Sequence, residues 1–215
     1  SLPATDPERL RDQAELMGNL IIDAVKASRP FEMNPKRSAE INVRMTRMAA
    51  EMGLGEELIR PTIGIKPKIM IILDNANGND ARTGYFMENG YDDFKAKLLT
   101  VGDLRMGDLY VTGVCKKVKD KEKDYTKDEI GQFTDFMREE INLVRPTYIL
   151  TCGSRSTALF NNKSKPSDLI GRKEYFPELD ATVFYGFNPN ILYFRPEEGE
   201  RLEAILADIA ETINK

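Results

Sequence analysis

Apolar residues recur along this chain at two different periods, and the pattern changes near Pro67. Before that point Leu10, Ala14, Met17, Ile21 and Val25 form one helical stripe, opened by Asp6-Pro7-Glu8 and closed by Arg29-Pro30. An Asp N-cap with Pro in the first turn is a good helix start. A second stripe, Ile41, Met45, Met48 and Met52, predicts a helix over 35–52 that Gly53-Leu54-Gly55 stops. Its methionines read as core packing in preference to a ligand surface, because Met fills irregular gaps.

Beyond Pro67, short apolar runs alternate with amphipathic stretches. Strands are predicted at 68–73, 108–114, 147–152 and 182–186, and helices at 91–100, 126–143, 155–162 and 198–213. Thr126 and Glu129 make a capping box, after which Ile130, Phe133, Met137, Ile141 and Val144 give the long helix an inward face. Leu202, Ile205, Ile209 and Ile213 do the same for the last helix. Such alternation implies a parallel sheet with helices on both faces. The expected fold is a three-layer α/β/α domain over 67–215 with a four-stranded parallel sheet, on which residues 1–66 pack as a helical arm.

Composition narrows the chemistry. With 215 residues, 41% of them hydrophobic, the chain is long enough for a substantial core. A formal charge of −4 means that any nucleic-acid surface is a local patch. The chain has no histidine, which rules out Ser-His-Asp and Cys-His triads and His-ligated zinc. Two cysteines, Cys115 and Cys152, cannot build a disulfide framework or a four-cysteine metal site. No apolar run approaches the roughly 18 residues of a membrane span, and no signal-peptide pattern opens the sequence, so a reducing, cytoplasmic setting is expected. No cofactor and no metal are called for.

The densest chemistry lies at two strand exits. Residues 68–86 run from an apolar strand into Asp74-Asn75-Ala76-Asn77-Gly78-Asn79-Asp80 and on to Arg82-Thr83-Gly84-Tyr85-Phe86. This loop lacks the Gly-Lys-Ser/Thr ending of a P-loop. Gly186-Phe187-Asn188-Pro189-Asn190 follows the last predicted strand in the same way. Loops after successive parallel strands share one edge of the sheet, so the two exits are expected to form one site. The lysine-rich stretch 116–124 reads either as a solvated loop or as a mobile phosphate contact.

In order, these motifs resemble the uracil-DNA glycosylase superfamily, especially its families four and five, from about Pro67 onward. The first exit stands where family four has G-E-A-P-G-x-D, and Arg82-Thr83-Gly84 with Phe86 where family five has N-R-T-G-R-x-F. Tyr110-Val111-Thr112-Gly113 resembles the second motif strand. Arg145-Pro146 through Gly153 resembles R-P-x-x-I-x-x-L-G, and Asn188-Pro189-Asn190 the closing H-P-S. The family's iron–sulfur cysteines are missing. Gly113 stands where many members keep a uracil-reading Asn, and Asn188 replaces the histidine, as in the mismatch-specific branch.

The resemblance implies a monofunctional DNA glycosylase that flips a modified or damaged base and leaves an abasic site. Asp74, Asn75, Asp80 and Asn188 would then hold water and stabilise the sugar cation. Ala76, Gly78, Arg82, Phe86 and Gly113 would form the base pocket, which Gly113 would enlarge for a bulky pyrimidine of phage DNA, as in the superfamily's antiviral members. Asn190, Ile191, Leu192 and Tyr193 would wedge the duplex. Ser154, Arg155 and Arg195, extended by Lys163, Lys165 and Arg172, would meet DNA phosphates. Glu88 is a further candidate acid. Against each role stands a plain one: Asn and Asp favour turns, Phe86 and Tyr85 suit packing, and the lysines suit a solvated surface. The alternative is a catalytically inactive module that binds DNA or a protein partner within a replication or defence system.

Overall fold

A computed structural model of the chain describes residues 33–215, together with Pro7, Glu8, Arg11 and Phe31. The expected helix carrying Leu10, Ala14, Met17, Ile21 and Val25 lies outside the described residues. Helix α1, Pro35–Met52, begins where the Asn34 side chain accepts the Arg37 N–H at 2.8 Å and ends at Gly53, whose φ of 65° suits glycine. The stripe Ile41, Met45 and Met48 is buried, so these methionines are core.

The strands are β1 (Thr62–Ile63), β2 (Ile69–Ala76), β3 (Leu109–Val118), β4 (Tyr148–Cys152), β5 (Lys173–Phe176) and β6 (Ala181–Gly186). They form one sheet in the order β1-β3-β2-β4-β6-β5. The inner β3-β2-β4-β6 set is parallel, while β1 and β5 run antiparallel along the two sides. The expected four-stranded parallel sheet is therefore a six-stranded mixed one. An edge strand has only one neighbour and needs no continuous apolar run, which is why Lys173-Glu174-Tyr175-Phe176 did not read as a strand.

Seven more helices follow α1 among the described residues: α2 (Gly78–Thr83), α3 (Asp92–Thr100), α4 (Lys127–Val144), α5 (Ser154–Ala158), α6 (Pro166–Leu169), α7 (Ile191–Phe194) and α8 (Gly199–Ile213). The alternation of side chains along a strand sorts the core into two halves. Met70 and Ile72 pack with Met45 of α1 and Met137 of α4, whereas Ile69, Ile71 and Leu73 pack with Phe94 of α3 and Leu206 of α8. None of the described helices is long and apolar enough to cross a membrane.

Strand β3 runs four residues past its expected end. Asn75 pairs with Cys115 but Ala76 with Val118, so Lys116 and Lys117 form a bulge. The bulge carries Lys116 into the core rather than into a solvated loop. Lys116 is 0% exposed, and its ammonium lies 2.8 Å from Glu140 of α4, which is 1% exposed. Glu140 also accepts from Tyr110 Oη at 2.8 Å and Thr112 Oγ1 at 3.0 Å. The Lys116 ammonium further donates to Thr112 Oγ1 and to the Gly113 carbonyl, and sits 5.5 Å from the Phe136 ring centre. A buried ion pair persists only with its remaining donors and acceptors satisfied, and here they are.

Candidate functional site

Asp74 leaves β2 half-buried and turns toward the start of α5. Its Oδ1 accepts the Ser156 N–H at 2.8 Å. Gly153 precedes that helix at φ 144°, and a side chain there would run into the Asp74 carboxylate. The carboxylate therefore occupies the helix start on which a DNA phosphate was expected to rest with Ser154. Asn75 turns back, its Nδ2 donating to the Ala76 carbonyl at 3.2 Å, and Ala76 is buried.

Asn77 begins α2. Its Oδ1 accepts the N–H groups of Asn79 at 2.9 Å and Asp80 at 3.2 Å, while Asp80 Oδ2 accepts the Asn77 N–H at 2.9 Å. This reciprocal capping box satisfies donors that the helix itself leaves open. Asp80 Oδ1 takes the Met87 N–H at 2.8 Å, and the side chain is 0% exposed. Burial raises its pKa above the ordinary 3.8, against the lowering pull of those two N–H groups and Lys95. Both Asp80 oxygens are thus engaged in holding backbone, whereas Gly78, Arg82 and Glu88 are exposed.

Tyr91 joins the two Asn-rich exits, and sequence reasoning passed it over. Asn77 Nδ2 donates to its hydroxyl at 2.7 Å, and Asn190 lies beside Tyr91 across a small cavity. Burial pushes the Tyr91 phenol well above its usual range. At the second exit Asn188 is exposed and builds a turn, its Oδ1 accepting the Asn190 N–H at 2.9 Å. Tyr91, Pro189, Asn190, Leu192 and Tyr193 line one small cavity. A cue was present in Gly90-Tyr91, where a glycine precedes an aromatic at a helix start, but aromatic residues at such places usually pack.

Phe86 and Gly113 do meet, though not as a base pocket. A side chain at Gly113 would come within 2.5 Å of Phe86 Cε1, and the Phe86 ring is fully buried. The space expected for a bulky base is filled by this ring. Three clefts of 260, 280 and 320 Å³ lie elsewhere, beside Phe160 and Phe176, between α1 and α4, and beside Ile59 and Val118. None of the three is lined by Asp74, Asn75, Phe86, Gly113 or Asn188. Among the described residues, no three His, Cys, Asp or Glu side chains converge as a metal site.

The cationic and aromatic groups are placed differently. Arg155 is half-buried, 3.2 Å from Cys115 Sγ and 5.5 Å from the Tyr125 ring centre. Burial raises the Cys115 thiol pKa, and the Arg155 charge opposes the rise. Ile191 and Leu192 are half-buried, whereas Tyr193 and Phe194 are 65% and 84% exposed and Arg195 follows on the surface. Tyr85, Lys163, Lys165 and Arg172 are also exposed.

Over all of its 215 residues the chain is 91% identical to part of the DNA polymerase III subunit alpha of Yersinia pestis. It spans 18% of the length of that protein. No family model matches the chain. The likeness to a polymerase subunit overturns the uracil-DNA glycosylase resemblance drawn from the motifs. With it go the N-glycosidic hydrolase activity, the excision of a modified base and the repair and antiviral roles. Five short motifs in order are weaker testimony than near-identity along the whole chain.

Proposed function

We propose that this chain is a DNA-contacting segment of a replicative polymerase subunit, and that it holds single-stranded DNA through α7. The observation that carries the reading is the exposed Tyr193–Phe194 pair beside Arg195, on the short helix that follows the second strand exit. Exposed rings stack on successive bases without regard to sequence, and an adjacent guanidinium serves the backbone. The near-identity to part of a DNA polymerase subunit supports the same partner. We assign Arg155 and Arg195 to phosphates. Arg155 is half-buried against Cys115 Sγ and the Tyr125 ring, which holds its guanidinium in place. A cytoplasmic place of work and a three-layer unit over 67–215 with residues 1–66 as its arm belong to the same proposal.

The test is an anisotropy titration of the 215-residue chain with a labelled single-stranded oligonucleotide at several salt concentrations. Binding is expected to fall with salt, as phosphate contacts release counterions. Replacing Tyr193 and Phe194 together by Ala should weaken it at least about ten-fold, since each stacked base contributes roughly 1–3 kcal/mol. Arg155→Ala should reduce the salt slope by about 1. Absence of binding at low salt, or equal affinity of the double variant, overturns the reading.

A further inference from the structure

We infer that Tyr91 is a positioning residue, a clasp that fixes α7 against the first strand exit; the inference rests on the DNA-contact reading of α7. Tyr91 has φ 58°, and Met87, four residues earlier, has the same value. Both are buried, and neither is glycine. Bulky residues in the left-handed region store strain, and they persist where the surroundings over-determine them. Here Asp80 Oδ1 pins the Met87 N–H at 2.8 Å, and Gly90 packs so closely on the Asn79 side chain that a Cβ would come within 2.8 Å of it.

The product of that strain is the position of one hydroxyl. It receives Asn77 Nδ2 at 2.7 Å from the first exit, and Tyr91 shares a small cavity with Pro189, Asn190, Leu192 and Tyr193 of the second. Asn190 is also the residue immediately before α7, and its own N–H is held by Asn188 Oδ1 at 2.9 Å. Hydrogen bonds thus run from buried Asp80 through Asn77 to Tyr91, and Tyr91 packs against Asn190 and the start of α7. At its far end stand Tyr193 and Phe194. A short helix with two exposed rings has little packing of its own to fix its direction, and this run supplies it. Tyr91 touches no nucleotide in this reading, because its ring is buried.

Tyr91→Phe keeps the ring and removes the hydroxyl. Hydrogen exchange followed by mass spectrometry on the 215-residue chain should show the peptide over 188–195 exchanging about five-fold faster, with the rest unchanged. Affinity for the single-stranded oligonucleotide should drop by a similar factor while the thermal midpoint barely moves. Asn190→Ala cuts the clasp from the surface side and should give the same exchange change, which keeps the test decisive if Tyr91→Phe fails to fold. Unaltered exchange over 188–195 in the folded variants overturns the clasp. Faster exchange in a chain whose wild type binds no oligonucleotide upholds the clasp and overturns the DNA-contact reading alone.

Discussion

Lys116 shows how one residue can reverse its apparent role. In sequence it opens a run of lysines and acids that has every mark of a solvated loop. In the fold it is fully buried on Glu140, with Thr112, Tyr110, Met137 and the Gly113 carbonyl around it. Removing one charge leaves the other stranded in the core, so Lys116→Met should cost about 3–5 kcal/mol in a urea titration. Lys116→Met with Glu140→Gln should recover most of that loss. The amide keeps an acceptor and a donor for Tyr110 and Thr112, and no lone charge remains. If the double variant is as unstable as the single one, the pair is not a balanced ionic unit. Surface pairs such as Arg44–Glu139, at 3.7 Å, carry little by comparison.

Among the elements, α4 has the fullest set of local instructions. Thr126 Oγ1 accepts the Glu129 N–H at 3.0 Å, and Glu129 returns the bond to the Thr126 N–H at 3.0 Å. Thr126→Ala should therefore lower stability by about 1 kcal/mol, read as a drop in the thermal midpoint. An unchanged midpoint would mean that water replaces the cap at no loss. Elements with such signals were legible. The stripe of α1 and the capping box of α4 gave their helices, and the inner strands stood out because both of their faces are buried. What stayed hidden depends on partners distant in the chain. β1 and β5 exist only as attachments to β3 and β6. The β3 bulge is set by its register with β2. α7 is too short to show a period. Tyr91 acquires its place from Asn77, 14 positions before it, and from the cavity it shares with Asn190, far beyond it. The Asn and Asp residues at the first exit were expected to carry chemistry; in the fold Asn77 and Asp80 cap α2, and Asp74 meets the start of α5.

For the whole molecule, each side of the sheet is covered by a helix from a different end of the described chain, α1 on one side and α8 on the other. Ile41 and Met45 of α1 lie in the same buried cluster as Phe133, Met137, Val183 and Tyr185. Loss of α1 would expose that cluster. Unfolding followed by far-ultraviolet and by tyrosine near-ultraviolet circular dichroism should therefore give coincident transitions, and deletion of residues 1–66 should abolish the cooperative step. Two separate midpoints, or a truncated chain that melts sharply, would show residues 67–215 to be self-sufficient.

Any polypeptide that comes to lie beside this unit meets two guarded sheet margins. Along β3 the chain from Ile59 to Lys66 supplies N–H groups to Lys116, Leu109 and Gly107 at 2.7, 2.8 and 3.1 Å, so that flank is already occupied. The opposite flank is the four-residue β5, where Lys173 is held by Asp208 at 2.9 Å. A brief, charged margin is a poor template for a foreign strand. Neighbouring polypeptide can thus be translated, folded and moved beside this unit without zipping onto it, and association is left to side-chain surfaces that can let go.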